Sequence, residues 1–233
     1  MDYCDHTAGV ASDYFWFRAK LVLVERLLQL AQIPPAGRLL SAGAGTGEET
    51  AVLGRYGDVV TLDAEPRALE LIDRENHPVR GDVQQLPFVS HSFDAACLFD
   101  VMEHLPDDWA AVKELGRVLR PGGKLLLTVP AFPSLFSGHD RALGHYRRYY
   151  RSGLRQLLQD WEEITIGWWS AATFPLFVAS RLMNRKRDTL NYPQPPLWMN
   201  RLLYHWLALE AGAAGTRFSP LFGSSLYAVF RKR

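Results

Sequence analysis

Leu39-Leu40-Ser41-Ala42-Gly43-Ala44-Gly45-Thr46-Gly47, followed by Glu48 and Glu49, is the stretch on which the reading of this chain turns. The apolar run Arg38–Ala42 has the length of a buried strand, and Glu48–Tyr56 has helical spacing, so the three alternating glycines form a strand-to-helix junction. Such a junction at the carboxyl end of a strand is where an open α/β sheet receives a ligand. Asp63 closes the next apolar run, 16 residues after Gly47, where its carboxylate can accept hydrogen bonds from ribose hydroxyls. A dinucleotide fingerprint would need glycine where Glu48 stands, and a carboxylate there opposes a pyrophosphate at the helix N-terminus. No Lys-Ser/Thr pair follows the glycines, so a phosphate-cradling P-loop is excluded as well. An uncharged or cationic nucleoside suits the site better.

Outward from this junction the pattern repeats. Val59–Asp63, Val79–Asp82, Phe93–Asp100 and Lys124–Pro130 read as further strands, and Pro66–Arg74 and Asp107–Leu119 as helices between them. Pro66 suits a first helical turn, and Pro121-Gly122-Gly123 stops the last helix. Strands alternating with helices in this way predict a parallel sheet. Ahead of it, Asp13–Leu30 carries Phe17, Leu21, Val24 and Leu28 on one face and reads as an amphipathic helix ended by Pro34-Pro35-Gly37. Beyond it come helices at Ser152–Leu158, Thr173–Arg185 and Leu197–Ala211, a strand at Glu163–Ser170 and a closing strand at Ser224–Phe230. The expected fold is α/β: a seven-stranded Rossmann-like sheet of five parallel strands plus a C-terminal strand pair, the last antiparallel, with helices on both faces.

Composition narrows the classes further. The chain has 233 residues, 48% hydrophobic and 22% charged, enough to bury a full core. Lys and Arg total 26 against 25 Asp and Glu, so no global polyanion-binding field exists and nucleic acid is not an expected partner. Cys4 and Cys97 are too few and too far apart for a disulfide framework or a zinc site, and no metal is expected. The N-terminus lacks a charged-then-apolar leader, and the uncharged run Ile164–Ser180 is interrupted by Gly167, Ser170, Thr173 and Pro175. It reads better as a buried strand entering a helix than as a membrane span. A cytoplasmic protein is expected.

Several motifs, in order, resemble the class I S-adenosylmethionine-dependent methyltransferases, specifically the small-molecule, type 11-like group that includes quinone-biosynthesis C-methyltransferases. They are the glycine loop with Asp63; Gly81-Asp82-Val83 with Leu86-Pro87-Phe88; Phe93-Asp94 through Asp100-Val101-Met102-Glu103-His104-Leu105; and Arg117-Val118-Leu119-Arg120-Pro121-Gly122-Gly123. Tyr14-Phe15-Trp16-Phe17-Arg18 is similar to an N-terminal aromatic-Arg signature. His139-Asp140 and Gly144-His145-Tyr146-Arg147-Arg148-Tyr149 are similar to a loop after the fifth strand in related bacterial sequences. The resemblance implies one methyltransferase domain over 1–233, with an N-terminal helical cover (1–36), a cofactor-binding core (37–130) and an acceptor side (131–233).

It implies S-adenosylmethionine as cofactor, with S-adenosylhomocysteine as product, and carries cofactor contacts onto Gly43, Ala44, Gly45, Gly47, Asp63, Ala64, Asp82, Val83 and Phe99. Arg18 is expected to meet the cofactor carboxylate. Ser41 departs from the family, which usually has an acidic residue there, and Ala44 stands where Cys is common. Transfer from a sulfonium is an in-line displacement, so alignment matters more than a fixed catalytic set. Asp100, His104, His139 and His145, with Glu103 beside them, are the expected groups near the methyl. The stretch Arg141–Arg187 has nine basic residues against Asp160, Glu162 and Glu163, which fits an anionic acceptor or a solvated basic face. The Trp-rich helices fit a lid over an apolar acceptor, a peripheral membrane contact or plain core packing. The expected partner is a small-molecule acceptor, anionic or lipid-linked. The alternatives are a non-catalytic S-adenosylmethionine-binding module and a nicotinamide-dependent oxidoreductase, the latter opposed by Glu48.

Overall fold

The structure, a computed structural model, describes residues 13–183 and 195–233. Cys4 and the basic residues Arg185, Lys186 and Arg187, including the expected end of the Thr173–Arg185 helix, lie outside the described residues.

Seven strands form one sheet. They are β1 (Gly37–Ala42), β2 (Gly57–Asp63), β3 (Pro78–Arg80), β4 (Phe93–Phe99), β5 (Leu119–Pro130), β6 (Trp161–Trp169) and β7 (Ser225–Lys232), in the spatial order β3-β2-β1-β4-β5-β7-β6. The first five are parallel, with Leu40 beside Val60 on one side and Ala96 on the other, and Ala96 beside Leu125. β7 runs antiparallel to both neighbours, Leu127 facing Ala228 and Ala228 facing Ile166. The expected topology is therefore observed. Strand order reverses between β1 and β4, which puts the ligand crevice of such a sheet outside their carboxyl ends.

Both faces of the sheet are covered. On one, α1 (Phe15–Ala31) buries Leu23, Leu27 and Leu28 against Leu39, Ala95 and Leu126. α8 (Leu197–Gly212) lies beyond α1, and the Trp169 indole donates to the Leu207 carbonyl at 3.1 Å to tie it to β6. On the other face α4 (Asp108–Val118) packs Ala111, Leu115 and Val118 against Leu40, Leu98 and Leu125. Burial on both faces explains why these strands read as continuous apolar runs.

Element ends depart from expectation for local reasons. α2 is Glu48–Leu53 and stops at Gly54 rather than Tyr56. α3 is only Pro66–Leu69, because Asp73 accepts from the Glu75 N–H at 3.2 Å and opens a separate 3-10 turn at Arg74–Asn76. β3 ends at Arg80, since Asp82 turns the chain by accepting from the Gln84 N–H at 2.8 Å. α4 ends at Val118, ahead of Pro121-Gly122-Gly123, and Leu119 already pairs with Phe93; the residues between Leu119 and Lys124 bulge out of register. Later elements are α5 (Gly138–Ala142), α6 (Arg151–Leu157) and α7 (Phe174–Met183). The run Ile164–Ser180 divides between β6 and α7, and no helix among the described residues is long and apolar enough to cross a membrane.

Candidate active site

A cavity of about 600 Å³ opens at the carboxyl ends of the strands, between the sheet and α1, α7 and α8. Its size is within the range of small-molecule sites.

One end is built from the glycine loop. Gly43 and Ala44 donate to the Leu62 carbonyl at 2.7 and 3.2 Å, which pins the loop to β2. Gly43, at φ +72°, lies so close to Val101 that an added Cβ would be 2.6 Å from its methyl carbons. Gly43→Ala should therefore both strain the backbone and displace the loop, and should lower the melting temperature by several degrees while weakening nucleoside binding; calorimetry on the variant checks both. The Asp63 carboxylate accepts from the Gly45 N–H and the Glu65 N–H, each at 2.8 Å, so the β2 terminus and the loop are one unit. Asp63, Ala64, Asp82 and Val83 face the cavity, as do Gly43, Ala44 and Gly45. Phe99 forms part of its floor. Gly47, at φ +82°, starts α2 behind the lining.

The centre is acidic and holds a buried cation. Lys20 of α1 is buried, and its ammonium bridges Glu49 at 2.9 Å and Asp100 at 2.8 Å while donating to the Phe99 carbonyl at 3.3 Å. Burial works against charge on both Lys20 and Glu49, but the attraction of the ammonium to Asp100 and Glu49 wins. The lysine is raised above its ordinary range, and the Glu49 carboxyl is drawn down to about 2. Asp100 sits at φ +60°, a strained conformation for a non-glycine residue and one that clusters at functional sites. Glu103, on the 3-10 turn Met102–His104, is buried; desolvation and the nearby Asp100 charge push its carboxyl well above the usual range.

At the far end Asp140 is a fully buried hub. It accepts from the Ser137 N–H at 2.8 Å, from the Arg148 Nε at 2.8 Å and Nη2 at 2.6 Å, and faces His145 Nδ1 at 3.3 Å. Despite burial, these partners hold it far below the ordinary carboxylate range. Burial and the Arg181 charge lower His139 to about 3, so it is neutral near pH 7. Arg148 and Arg181 both lie over the Phe177 ring, at 5.2 and 4.6 Å.

The structure thus brings Asp100, His104, His139 and His145 to one cavity with the glycine loop. Arg18 is the correction. It is exposed, with its guanidinium 4.3 Å over the Tyr204 ring, and does not line the cavity. Two residues along a helix turn a side chain about 200° around the axis, so Lys20, not Arg18, is the cation α1 delivers. The basic stretch also divides. Arg148 and Arg181 reach the cavity, whereas Arg147 pairs with Asp108 and Arg155 with Glu163. Asp82 has the turn-capping role as well as a place in the lining.

Residues 40–127 match the methyltransferase domain family. Among curated proteins, an uncharacterized methyltransferase of Mycobacterium sp. (strain JLS) is 34% identical over 130 residues, 53% of this chain and 52% of its own length. A protein of Mycolicibacterium smegmatis, whose name describes an S-adenosylmethionine-dependent methyltransferase, is 33% identical over 159 residues, 65% and 60% of the two chains. The chain spans about half the length of the first of these relatives. Among solved structures, the S-adenosylmethionine-dependent methyltransferase TM1293 of Thermotoga maritima superposes with a TM-score of 0.59 at 15% identity, covering 94% and 93% of the two chains. The PH0226 protein of Pyrococcus horikoshii gives 0.61 at 16%, covering 98% and 99%. The match over residues 40–127 and the shared fold make S-adenosylmethionine, the cofactor in the Mycolicibacterium smegmatis relative's name, the group to test against this site.

The residues present fit such a group. The loop at Gly43 has no room for a side chain, Asp63 stands at the end of β2, and Glu49, Asp63, Asp82, Asp100 and Glu103 all line the cavity. That many carboxyls suit a cationic nucleoside and oppose a pyrophosphate.

Proposed function

We propose that this protein transfers a methyl group from S-adenosylmethionine to a small acceptor that carries an anionic group and an apolar portion. When bound, the cofactor supplies an electrophilic methyl on a sulfonium, and S-adenosylhomocysteine leaves. The chain's own work is alignment, since an in-line displacement gains most from holding the reacting atoms on one axis. In this reading Gly43, Ala44, Gly45, Asp63 and Ala64 hold the ribose side, Asp82, Val83 and Phe99 the adenine side, and Asp100 faces the cationic centre. His139, kept neutral, gives or accepts a hydrogen bond without adding charge. His104 and His145 flank the acceptor.

The observation that carries the reading is one cavity with an acid-lined nucleoside end and a basic, aromatic far end. Arg148 and Arg181, with Phe177 between them, match an anionic group attached to an apolar body. Leu176 lines the cavity and is nevertheless 73% exposed, so the cavity wall continues onto the outer surface. There Trp198, Leu202, Trp206 and Leu209 form an exposed stripe along α8, at the spacing of one helix face. A lipid-linked acceptor entering from a membrane surface accounts for that stripe, with two tryptophans and Arg201 suited to the interface.

Incubating the protein with methyl-labelled S-adenosylmethionine and a fractionated cell extract tests this. Label should pass to organic-phase, anionic material. Arg181→Ala should raise the acceptor KM at least tenfold and leave the cofactor KM unchanged. Transfer confined to neutral or cationic water-soluble compounds would overturn the acceptor assignment.

A further inference from the structure

Glu103 and His104 share one 3-10 turn after β4, and His145 lies in the segment following α5. The fold brings one ligand atom from each of the three to within 4.8 Å of the others. The two imidazole rings meet edge to face, 4.5 Å between centroids. The two segments are bonded to each other: the Tyr146 N–H donates to the Glu103 carbonyl at 2.7 Å, and the His145 N–H to the Asp140 carbonyl at 2.9 Å.

Two details go beyond proximity. The Asp140 carboxylate faces His145 Nδ1, which leaves Nε2 as a lone-pair donor. Metal-ligating histidines are commonly backed in this way, by a carboxylate that fixes tautomer and ring. Glu103 Oε2 is buried and has no hydrogen-bond partner among the described residues, although it borders the cavity. Buried polar atoms are satisfied as a rule, so a bare carboxyl oxygen beside two imidazoles marks a missing partner.

We propose that Glu103, His104 and His145 bind one divalent first-row transition-metal ion. Two imidazoles and one carboxylate suit zinc, cobalt, manganese or iron, and leave coordination positions open towards the cavity. Ligand atoms around zinc lie about 3 Å apart, so closing the set takes roughly 1–2 Å of side-chain movement. Resting on the methyltransferase reading, the ion's role is to hold an acceptor hydroxyl. The O–H proton passes to solvent on coordination, an oxygen lone pair forms the new bond to the methyl carbon, and the carbon–sulfur bond breaks with its electron pair kept by sulfur. The acceptor class is then an oxygen nucleophile, a phenol or alcohol.

Untagged full-length protein, stripped with chelator, is titrated with Co²⁺ while its visible absorption is followed, and Zn²⁺ is then added in competition. One equivalent of Co²⁺ should bind with the spectrum of a nitrogen- and oxygen-ligated ion and be displaced by Zn²⁺. His145→Ala, His104→Ala and Glu103→Gln should each weaken binding at least tenfold. Wild-type protein that takes up no stoichiometric Co²⁺, or variants that bind as the wild type does, overturns the proposal. The thermal shift with S-adenosylhomocysteine is recorded on the same metal-free samples. Its retention shows the variants are folded, and its absence from wild type would strike the methyltransferase reading while leaving the metal result standing.

Discussion

Asp63→Ala removes measurable binding of S-adenosylhomocysteine while the sheet stays folded. Both carboxylate oxygens already accept backbone N–H groups, from Gly45 and Glu65, and their remaining lone pairs are the ones a ribose would use. The substitution therefore costs two charge-assisted hydrogen bonds to ligand and slackens the loop that holds the rest. At about 1.5–3 kcal/mol for a hydrogen bond to a charged group, the affinity should fall at least a hundredfold. The cleanest measurement is thermal. Ligand at about 100 times its dissociation constant adds about 2.7 kcal/mol, which raises the melting point of a chain this size by roughly 5–10 °C. The wild type should show that rise with S-adenosylmethionine and S-adenosylhomocysteine and none with NAD; the variant should show none with any. Affinity within a few-fold of wild type would sink the ribose assignment.

Lys20→Met should be the most destabilising single change in the cavity. It keeps the helix and the apolar stem but removes the ammonium that Glu49 and Asp100 share. Breaking a buried ion pair by removing one partner costs about 3–5 kcal/mol, or a fall in melting temperature on the order of 10 °C. Its pH signature separates this from lost packing. In the wild type the folded Glu49 lies below its unfolded value, at about 2. Its contribution is therefore present above the ordinary carboxylate range and is lost as pH falls towards 2. In the variant Glu49 loses the Lys20 charge that offset its burial, so its folded value rises above the unfolded one. Stability is then lowest near neutrality and recovers as pH drops through the acid range. Parallel stability–pH curves for the two proteins would show that Lys20 does not hold the acidic centre.

The fold was legible because its signals are local and repeated. Strands buried on both faces read as unbroken apolar runs, and Gly43, Gly45 and Gly47 mark a turn that few other residues can make. The nucleoside end was legible for the same reason, since Asp63 and Asp82 each close a strand-like run. Lys20 was not. Its partners Glu49 and Asp100 come from the ends of two other segments, and the aromatic-Arg signature drew attention to Arg18, on the opposite side of the same helix. Asp140 carries no local signal of its role, because a hub shared by Ser137, His145 and Arg148 exists only once α5 and the following loop fold back together. The meeting of Glu103 and His104 with His145 is equally non-local. Helix ends failed where a single capping side chain, Asp73, redirected the backbone.

β7 lies between β5 and β6, although β6 precedes it along the chain. While the polypeptide is being made, neither neighbour can complete its hydrogen bonding until residues 225–232 exist. Over that interval β5 presents an open edge carrying Leu125, Leu127 and Val129, with β6 unpaired nearby. An uncovered apolar edge is a template for pairing with another chain. Until β7 is in place, that edge of β5 is therefore open to pairing with another chain, and β7 is the strand that closes it.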